Sequence, residues 1–473
     1  MPAIRSFSPT LAAASGAALL LLAVLSGCGG GLYRPATPPA DTVTFPNAST
    51  QGWLQQYGAP NQPSSYFQQA GDTAAGIATD AAGDVFVLDQ TTGSFTSTPS
   101  QYTPQIAVTK FDSNGHVLWT QQFGTGSGDF PAAIAVDPTG NIVVGAVTYG
   151  AFPGNSNPNR ALQGAVLKLS SSGSLLWAQQ FSYTLPTLVN GIATDPQGNI
   201  VVGGEVEPPG SGYTNGWQNM ETSYYTEGGF VRKLAAADGS LLWSVSNTTS
   251  TGNYEVNAIA TDANGDVLAA GFFPPATGSN SGGSVFLAEK LSGASGQVVW
   301  QQLSASPAYY NSHPAVSFFS VAADAQGDAL LGGDDATSGY ARCAVFKVPA
   351  SGASAAWQQE FGAAQGCAAG SVAVDSAGNV ALTGGMASPF FSSQKPPTTD
   401  DIFVAKLDSN GNAVWLQQFG TGRDGGGTAT YTPVYAATDG QNRIDIAGTT
   451  GAAFPGFTNA KNLNQIFVTQ FAP

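Results

Sequence analysis

Two histidines, His116 and His313, and three cysteines, Cys28, Cys343 and Cys367, are the whole supply of soft ligands and ready bases in 473 residues. Zinc sites want several such ligands at short spacing, and a Ser-His-Asp relay wants a base poised beside a motif-borne nucleophile. His116 follows a tight turn and His313 falls in YYNSHPAVSF at 309–318, so neither belongs to such a pattern. Carboxylates offer more choice: Glu205, Glu207, Glu221, Asp334, Asp335, Asp400 and Asp401 lie in or near irregular insertions. Nothing in their spacing selects a glycosidase pair, whose separation belongs to the folded site. No catalytic residue, metal ligand or cofactor is assigned. Lysines 110, 168, 233, 290, 347 and 406 recur in step, and six equivalent copies read as a surface residue of a repeat, with stems lying over a sheet.

Cys28 has another chemistry. Residues 1–27 hold one cation, Arg5, then the apolar run LAAASGAALLLLAVL at 11–25, and the stretch closes as LSGC at 25–28. The run has signal-peptide length and is too short and too terminal for a permanent span. Leu25, Ser26, Gly27 and Cys28 resemble, at all four positions, the lipobox of bacterial lipoproteins, whose cysteine is acylated before cleavage ahead of it. An ordinary signal peptide ending near a cysteine is the alternative. The resemblance implies a signal peptide over 1–27, lipidation of Cys28, and a lipid bilayer as partner. Gly29 in place of Asp leans toward the outer membrane or cell surface rather than the inner membrane. Residues 28–50 then form the lipidated cysteine and a Gly-, Pro- and Thr-rich flexible tether.

The remainder, 51–473, is built by repetition. Trp53, Trp119, Trp177, Trp243, Trp300, Trp357 and Trp415 fall at intervals of 66, 58, 66, 57, 57 and 58 residues, and only Trp217 lies outside the series. A second marker keeps time with them, from GIATD at 76–80 and AIAVD at 133–137 to YAATD at 435–439. Each Asp is followed by a short turn and a β-rich run such as GNIVVG at 140–145, then a lysine-bearing run such as AVLKL at 165–169. A Gly turn and a tryptophan-bearing run, as in HVLWTQQF at 116–123, complete the unit. Four short runs joined by turns predict a four-stranded antiparallel blade. Independent β-sandwiches would not place one Trp and one Asp in register seven times.

The ends of the repeat series predict a closed ring. The seventh copy has three runs, ending in QIFVTQF at 465–471, while an orphan fourth run, GWLQQYG at 52–58, precedes the first GIATD. Pairing that N-terminal strand with the last blade leaves no open sheet at the seam, which a superhelical array would not require. The expected fold is therefore all-β: a seven-bladed β-propeller of four-stranded antiparallel blades. The turns DPTGN, DPQGN, DANGD, DAQGD and DSAGN fit local Asp-to-backbone hydrogen bonds and a Gly at positive φ. They lack the glutamate twelve positions on that an EF-hand loop needs.

The unit resembles the SBBP family of bacterial β-propeller repeats. DIFVAKLDSNGNAVWLQQFG at 401–420 follows its pattern, with Asp401, Phe403, Lys406, Leu407, Asp408, Gly411 and Trp415 in register. Other copies drift: Ala350 stands at the turn aspartate and Gln470 at the lysine. The resemblance implies an exported or surface-associated propeller and assigns no activity. SNGHVLW at 113–119 and DGSLLW at 238–243 also share the Gly-x-x-x-Trp spacing of quinoprotein-type propellers, whose tryptophans dock between blades. That likeness implies interblade packing for the seven tryptophans. The vicinal cysteine pair of the quinone enzymes is absent.

Once Cys28 serves as anchor, Cys343 and Cys367 remain, and export permits oxidation. The register puts Cys343 at the start of a third strand and Cys367 in the link after the neighbouring fourth strand, at one face, so a disulfide is expected. On that same face an up-and-down blade gathers its two-to-three and four-to-one links, where nearly all insertions fall. They carry aromatic and amide groups, above all Trp217, Tyr213, Tyr224 and Tyr225 in GYTNGWQNMETSYY at 212–225. Variable loops of this composition on a rigid scaffold suit recognition. The formal charge of −15, with scattered Lys and Arg, argues against nucleic acid. The function expected is a non-catalytic binding or interaction scaffold of the cell envelope, for a protein or polysaccharide partner. An envelope assembly factor, or a propeller enzyme using loop carboxylates, stands behind it.

Overall fold

The computed structural model describes residues 50–60, 71–95, 103–183, 185–206, 228–249, 252–273, 285–304, 309–310, 313–314, 316–335, 342–361, 367–386, 401–420, 434–459 and 463–473. Chain order begins with β1 (Gln51–Tyr57), which belongs to the last blade. Blade 1 follows as β2 (Asp72–Thr79), β3 (Val85–Thr91), β4 (Gln105–Phe111) and β5 (Val117–Phe123), paired antiparallel in that order. The same meander recurs through 129–181, 187–249, 255–304, 316–361 and 367–419 as blades 2 to 6. Blade 7 consists of Tyr435–Thr438, Ile444–Thr450, Gln465–Phe471 and then β1, whose Tyr57 pairs with Ile466 and Gln51 with Phe471. The N-terminal strand thus completes the ring.

Each blade's first strand packs on the first strand of the next blade, and Tyr435–Thr438 packs on both Cys367–Val374 and β2, which closes the circle. The reason lies in residue type. Second and third strands carry apolar side chains on both faces, as in IVVGAVT at 142–148, where every residue is buried. A sheet apolar on both faces needs a sheet on either side. Between blades 1 and 2, Phe86, Leu88 and Val108 meet Ile134, Val144 and Leu167, and between blades 7 and 1, Ile466 and Val468 meet Ile77, Val87 and Phe111. Each such side chain contributes about 1.5–3 kcal/mol on full burial, so these interblade layers are the main stabilising element.

Cys343 and Cys367 form a disulfide with a Cα–Cα distance of 5.4 Å. Cys367 lies one step further along than the repeat register suggests: it is the first residue of the strand Cys367–Val374, not part of the link before it. The bond therefore crosses from blade 5 to blade 6. Both cysteines are buried in one apolar cluster with Leu382 and Phe403. Closing 24 residues stabilises the ring by about 3 kcal/mol on a chain-entropy account.

Candidate binding faces

The lysines are not a surface feature, contrary to the sequence reading. Lys168, Lys233, Lys290 and Lys406 are buried, and each ammonium meets the turn aspartate of its own blade. The Nζ–Oδ2 distances are 2.8 Å for Lys168–Asp137, 2.7 Å for Lys233–Asp195 and 2.6 Å for Lys290–Asp262. Lys347 meets Asp324 at 2.7 Å, Lys406 meets Asp375 at 3.1 Å, and Lys110 sits between Asp84 and Asp80. The other oxygen, Oδ1, holds the turn: in blade 2 it accepts the N–H groups of Thr139 and Asn141, both at 2.9 Å. Burial raises the Asp137 pKa, but the hydrogen bonds from Lys168, Thr139 and Asn141 outweigh it and hold the carboxyl at about 2. The lysine also reaches across the blade boundary, donating to Ala236 O from Lys168 and to Gly293 O from Lys233. A third-strand lysine flanked by apolar residues reads as a snorkelling surface residue until a neighbouring blade covers it.

Blade 7 departs from this rule. Gln470 replaces the lysine, and Asp439 takes its cation from Arg443 on its own turn, with Nε at 2.6 Å from Oδ2. Gln470 instead donates to Asp445 Oδ1 at 2.9 Å, at a position that is apolar in the other six blades.

The tryptophans lie over the third-to-fourth turn of the next blade. Indole Nε1 donates to Ser113 O from Trp53, Gly293 O from Trp243, Ala350 O from Trp300 and Ser409 O from Trp357. The turn glycine beneath each ring is needed twice over. Gly115 has φ 84°, and a Cβ there would come within 2.5 Å of Trp53 Cδ2. Trp119 and Trp177 approach Gly173 and Gly239 likewise. Trp415 packs on Phe471 instead, with ring centroids 5.9 Å apart, because the third and fourth strands of blade 7 come from opposite ends of the chain and no turn joins them.

At the turn-bearing end of the central channel lies a cavity of about 600 Å³, bounded by the first-strand ends of blades 1 to 4, including Thr79, Asp137, Thr194 and Thr261. Its polar lining is already committed. Thr79, Thr194 and Thr261 donate to Thr438 O, Val136 O and Thr194 O of neighbouring blades at 2.9, 3.0 and 2.7 Å. The aspartates serve the turns and lysines. The polar groups at this end of the channel serve the framework of the ring. Among the described residues no group of three or more His, Cys, Asp or Glu is placed to hold a metal ion.

The opposite face gathers the irregular links. Cys28 and the aromatic set Tyr213, Trp217, Tyr224 and Tyr225 lie outside the described residues. What is described there is a clamp that sequence reasoning missed. The second glutamine of the recurring Trp-x-Gln-Gln run holds the two-to-three link of its own blade. Gln180 donates to Gly150 O and accepts from Phe152 N, and Gln122 donates to Gly93 O and accepts from Phe95 N. Gln56 does the same with Ala452 O and Phe454 N. The repeated amide at a fixed position was the available signal. Of the candidate carboxylates, Glu207, Glu221 and Asp400 lie outside the described residues, and the others fall in three different blades. Glu205 and Asp334 are in second strands of blades 3 and 5, and Asp401 starts the strand Asp401–Leu407. Asp334 is spent on the N–H of Ala369 across a blade boundary, at 2.7 Å.

Glu289 in blade 4 is 2% exposed, and its partners among the described residues are neutral, Tyr254 Oη and Gln301 Nε2, each at 3.3 Å. Burial pushes its pKa up to about 7 against the lowering effect of those bonds. The folded state then binds this proton more tightly than the unfolded chain. Its stabilising contribution is full below about pH 4.5, falls as pH rises, and is gone above about 7. Glu289→Gln is expected to leave stability unchanged at pH 4.5 and to raise it by about 1–3 kcal/mol at pH 8.5. Urea melts of both chains at the two pH values test this, and a constant difference between them would refute the assignment.

These features define a seven-bladed β-propeller with repeated structural ion pairs at one face and variable links at the other. Residues 118–153 match the SBBP family, described as a beta-propeller repeat. A WD repeat-containing protein, L264, of Acanthamoeba polyphaga mimivirus is 28% identical over 207 residues, covering 36% of this chain and 14% of that protein. Among solved structures, a protein of unknown function from Dyadobacter fermentans is similar at 16% identity, covering 73% of this chain and 94% of that one, with a TM-score of 0.45. The Neurospora crassa Pan2 WD40 domain is similar at 12% identity over 92% and 98% of the two chains, TM-score 0.49. Quinohemoprotein alcohol dehydrogenase from Comamonas testosteroni is similar at 11% identity over 91% and 78%, TM-score 0.40.

Proposed function

We propose that the chain is a lipid-anchored envelope protein that works as a non-catalytic binding scaffold through its long-link face. The observation that carries this reading is the division of labour between faces. Charged groups recur on the turn face and are consumed there by Asp–Lys pairs, whereas the links that vary from blade to blade share the other face and are clamped by Gln56, Gln122 and Gln180. A rigid ring with variable aromatic loops is organised for recognition of a protein or polysaccharide. Cys28, acylated, would hold it to the bilayer.

Labelled palmitate is expected in the wild type and lost in Cys28→Ala; equal labelling rules the anchor out. For the binding face, the probes are purified peptidoglycan and a detergent extract of envelope proteins. Trp217→Ala with Tyr224→Ala should weaken retention on one of them at least tenfold with an unchanged melting curve. Retention on neither probe, or retention insensitive to these substitutions, defeats the loop reading.

A further inference from the structure

The outermost strands carry an unusual set of exposed apolar residues. Leu118 in blade 1, Leu176 in blade 2, Leu242 in blade 3 and Val299 in blade 4 are 51%, 53%, 51% and 56% exposed. Val117 and Val298 beside them are equally open. All sit just before the repeat tryptophan, at the beginning of a fourth strand, and so at the turn-bearing edge of the ring. At the same height blade 5 offers Ala355 and Ala356, blade 6 the half-buried Ala413 and Val414, and blade 7 Gln51 and Gly52. The apolar edge is therefore an arc over four consecutive blades. Strand alternation does not explain it, because adjacent residues, which point to opposite faces, are both exposed. Apolar groups gathered in this way on a soluble surface mark a contact with protein or membrane.

The chain itself indicates which. Gln51 pairs with Phe471 as Val117 pairs with Phe111, so the segment leading from Cys28 joins the ring at the position homologous to Val117, on the same edge and one blade away. Twenty-two residues, 29–50, separate Cys28 from the strand, a length of chain whose unstructured span averages about 25 Å. A seven-residue strand is about 23 Å long. A bilayer holding Cys28 would thus lie within about one propeller thickness of this edge. The side chains are spread around an arc of four blades, with a cleft of about 430 Å³ beside Leu242 alone among them, and that spread suits a planar, deformable surface.

We propose that the turn-bearing edge of blades 1 to 4 rests on the lipid surface, its Leu and Val side chains entering the headgroup–acyl boundary. This rests on the anchor reading and deepens it: the lipid chain supplies attachment and the apolar arc supplies orientation, turning the long-link face away from the membrane. Aspartates 112 and 238 on the adjoining turns and the net charge of −15 make zwitterionic lipid the preferred surface.

The test uses the full acylated chain on phosphatidylcholine vesicles, with a polarity-sensitive maleimide dye on variants that each add one free cysteine to the acylated Cys28 and the disulfide. Leu176→Cys and Leu242→Cys report the arc, and Ser156→Cys, exposed in the link 149–162 at the other face, is the control. The expected result is flotation of all three with a blue shift at 176 and 242 only. Flotation without a shift at those positions, or with the same shift at 156, overturns the docking and leaves the anchor standing. A shift that needs no lipid and grows with protein concentration assigns the arc to a second copy and also overturns it. Failure of the chain to float, with Cys28 unmodified by mass, sinks the anchor alone. The docking is then decided on the same chain at high lipid concentration, by partitioning of the variant Leu118→Ser, Leu176→Ser, Leu242→Ser, Val299→Ser. A loss of at least fivefold supports it and equal partitioning refutes it.

Discussion

Lys233→Met is expected to destabilise the chain by about 3–5 kcal/mol, because it leaves the fully buried side chain of Asp195 without its cation. Asp195 is already kept low: burial raises its pKa, and the bonds from Lys233 and Asn199 more than reverse the effect. Removing the ammonium removes the largest of those opposing bonds and also leaves Gly293 O, to which Lys233 and Trp243 both donate, at 2.7 and 3.0 Å, with the indole alone. The loss should therefore spread from blade 3 into blade 4. The double variant Lys233→Met, Asp195→Asn should recover most of the stability, to within about 1 kcal/mol of the parent, since a neutral amide can still accept the turn N–H groups. Urea melts of the two singles and the double form a cycle that measures this. A Lys233→Met cost below about 1 kcal/mol would return the lysine to the surface role that its sequence context suggests.

Deleting residues 51–58 should cost more still. That segment supplies the outer strand of blade 7, and its Trp53 and Tyr57 rings lie 6.0 and 5.6 Å from Phe111 of blade 1. Thr469 Oγ1 also donates to Trp53 O at 2.7 Å. Two half-buried aromatic groups and the hydrogen-bond ladder of a whole strand are lost together, about 5 kcal/mol or more, comparable to the whole stability of a typical domain. The expected outcome is loss of the cooperative transition and exposure of a strand edge prone to association. Deleting 31–45 from the tether should shift the midpoint by less than about 1 kcal/mol. A 51–58 deletion that still melts near the parent would mean that the ring does not depend on its seam.

Much of the ring was legible beforehand. Seven tryptophans and seven strand-ending aspartates at matching intervals can arise only from one repeated unit, and a four-stranded unit follows from turns at Asp and Gly. The orphan run at 52–58 predicted the closure at 465–471, because main-chain pairing demands a partner for the last blade's third strand. The disulfide followed from register as well, since register fixes height in the sheet and the two cysteines share it.

What the linear chain left undecided was which side of each blade meets a neighbour, and what that neighbour brings. Period two in a strand assigns alternate residues to two faces, but in a propeller both faces are covered, so alternation no longer separates buried from exposed. Lys168 and Lys233 therefore looked like surface residues, although the aspartates that bury them stand only 31 and 38 positions earlier. Glu289 gave no sign in sequence of its burial among neutral partners, nor Leu118 and Val299 of their exposure. Composition and spacing determine the blade, because its hydrogen bonds are local along the meander. The fate of each ionisable or apolar side chain is set by the adjoining blade, through desolvation and charge pairing that act across space.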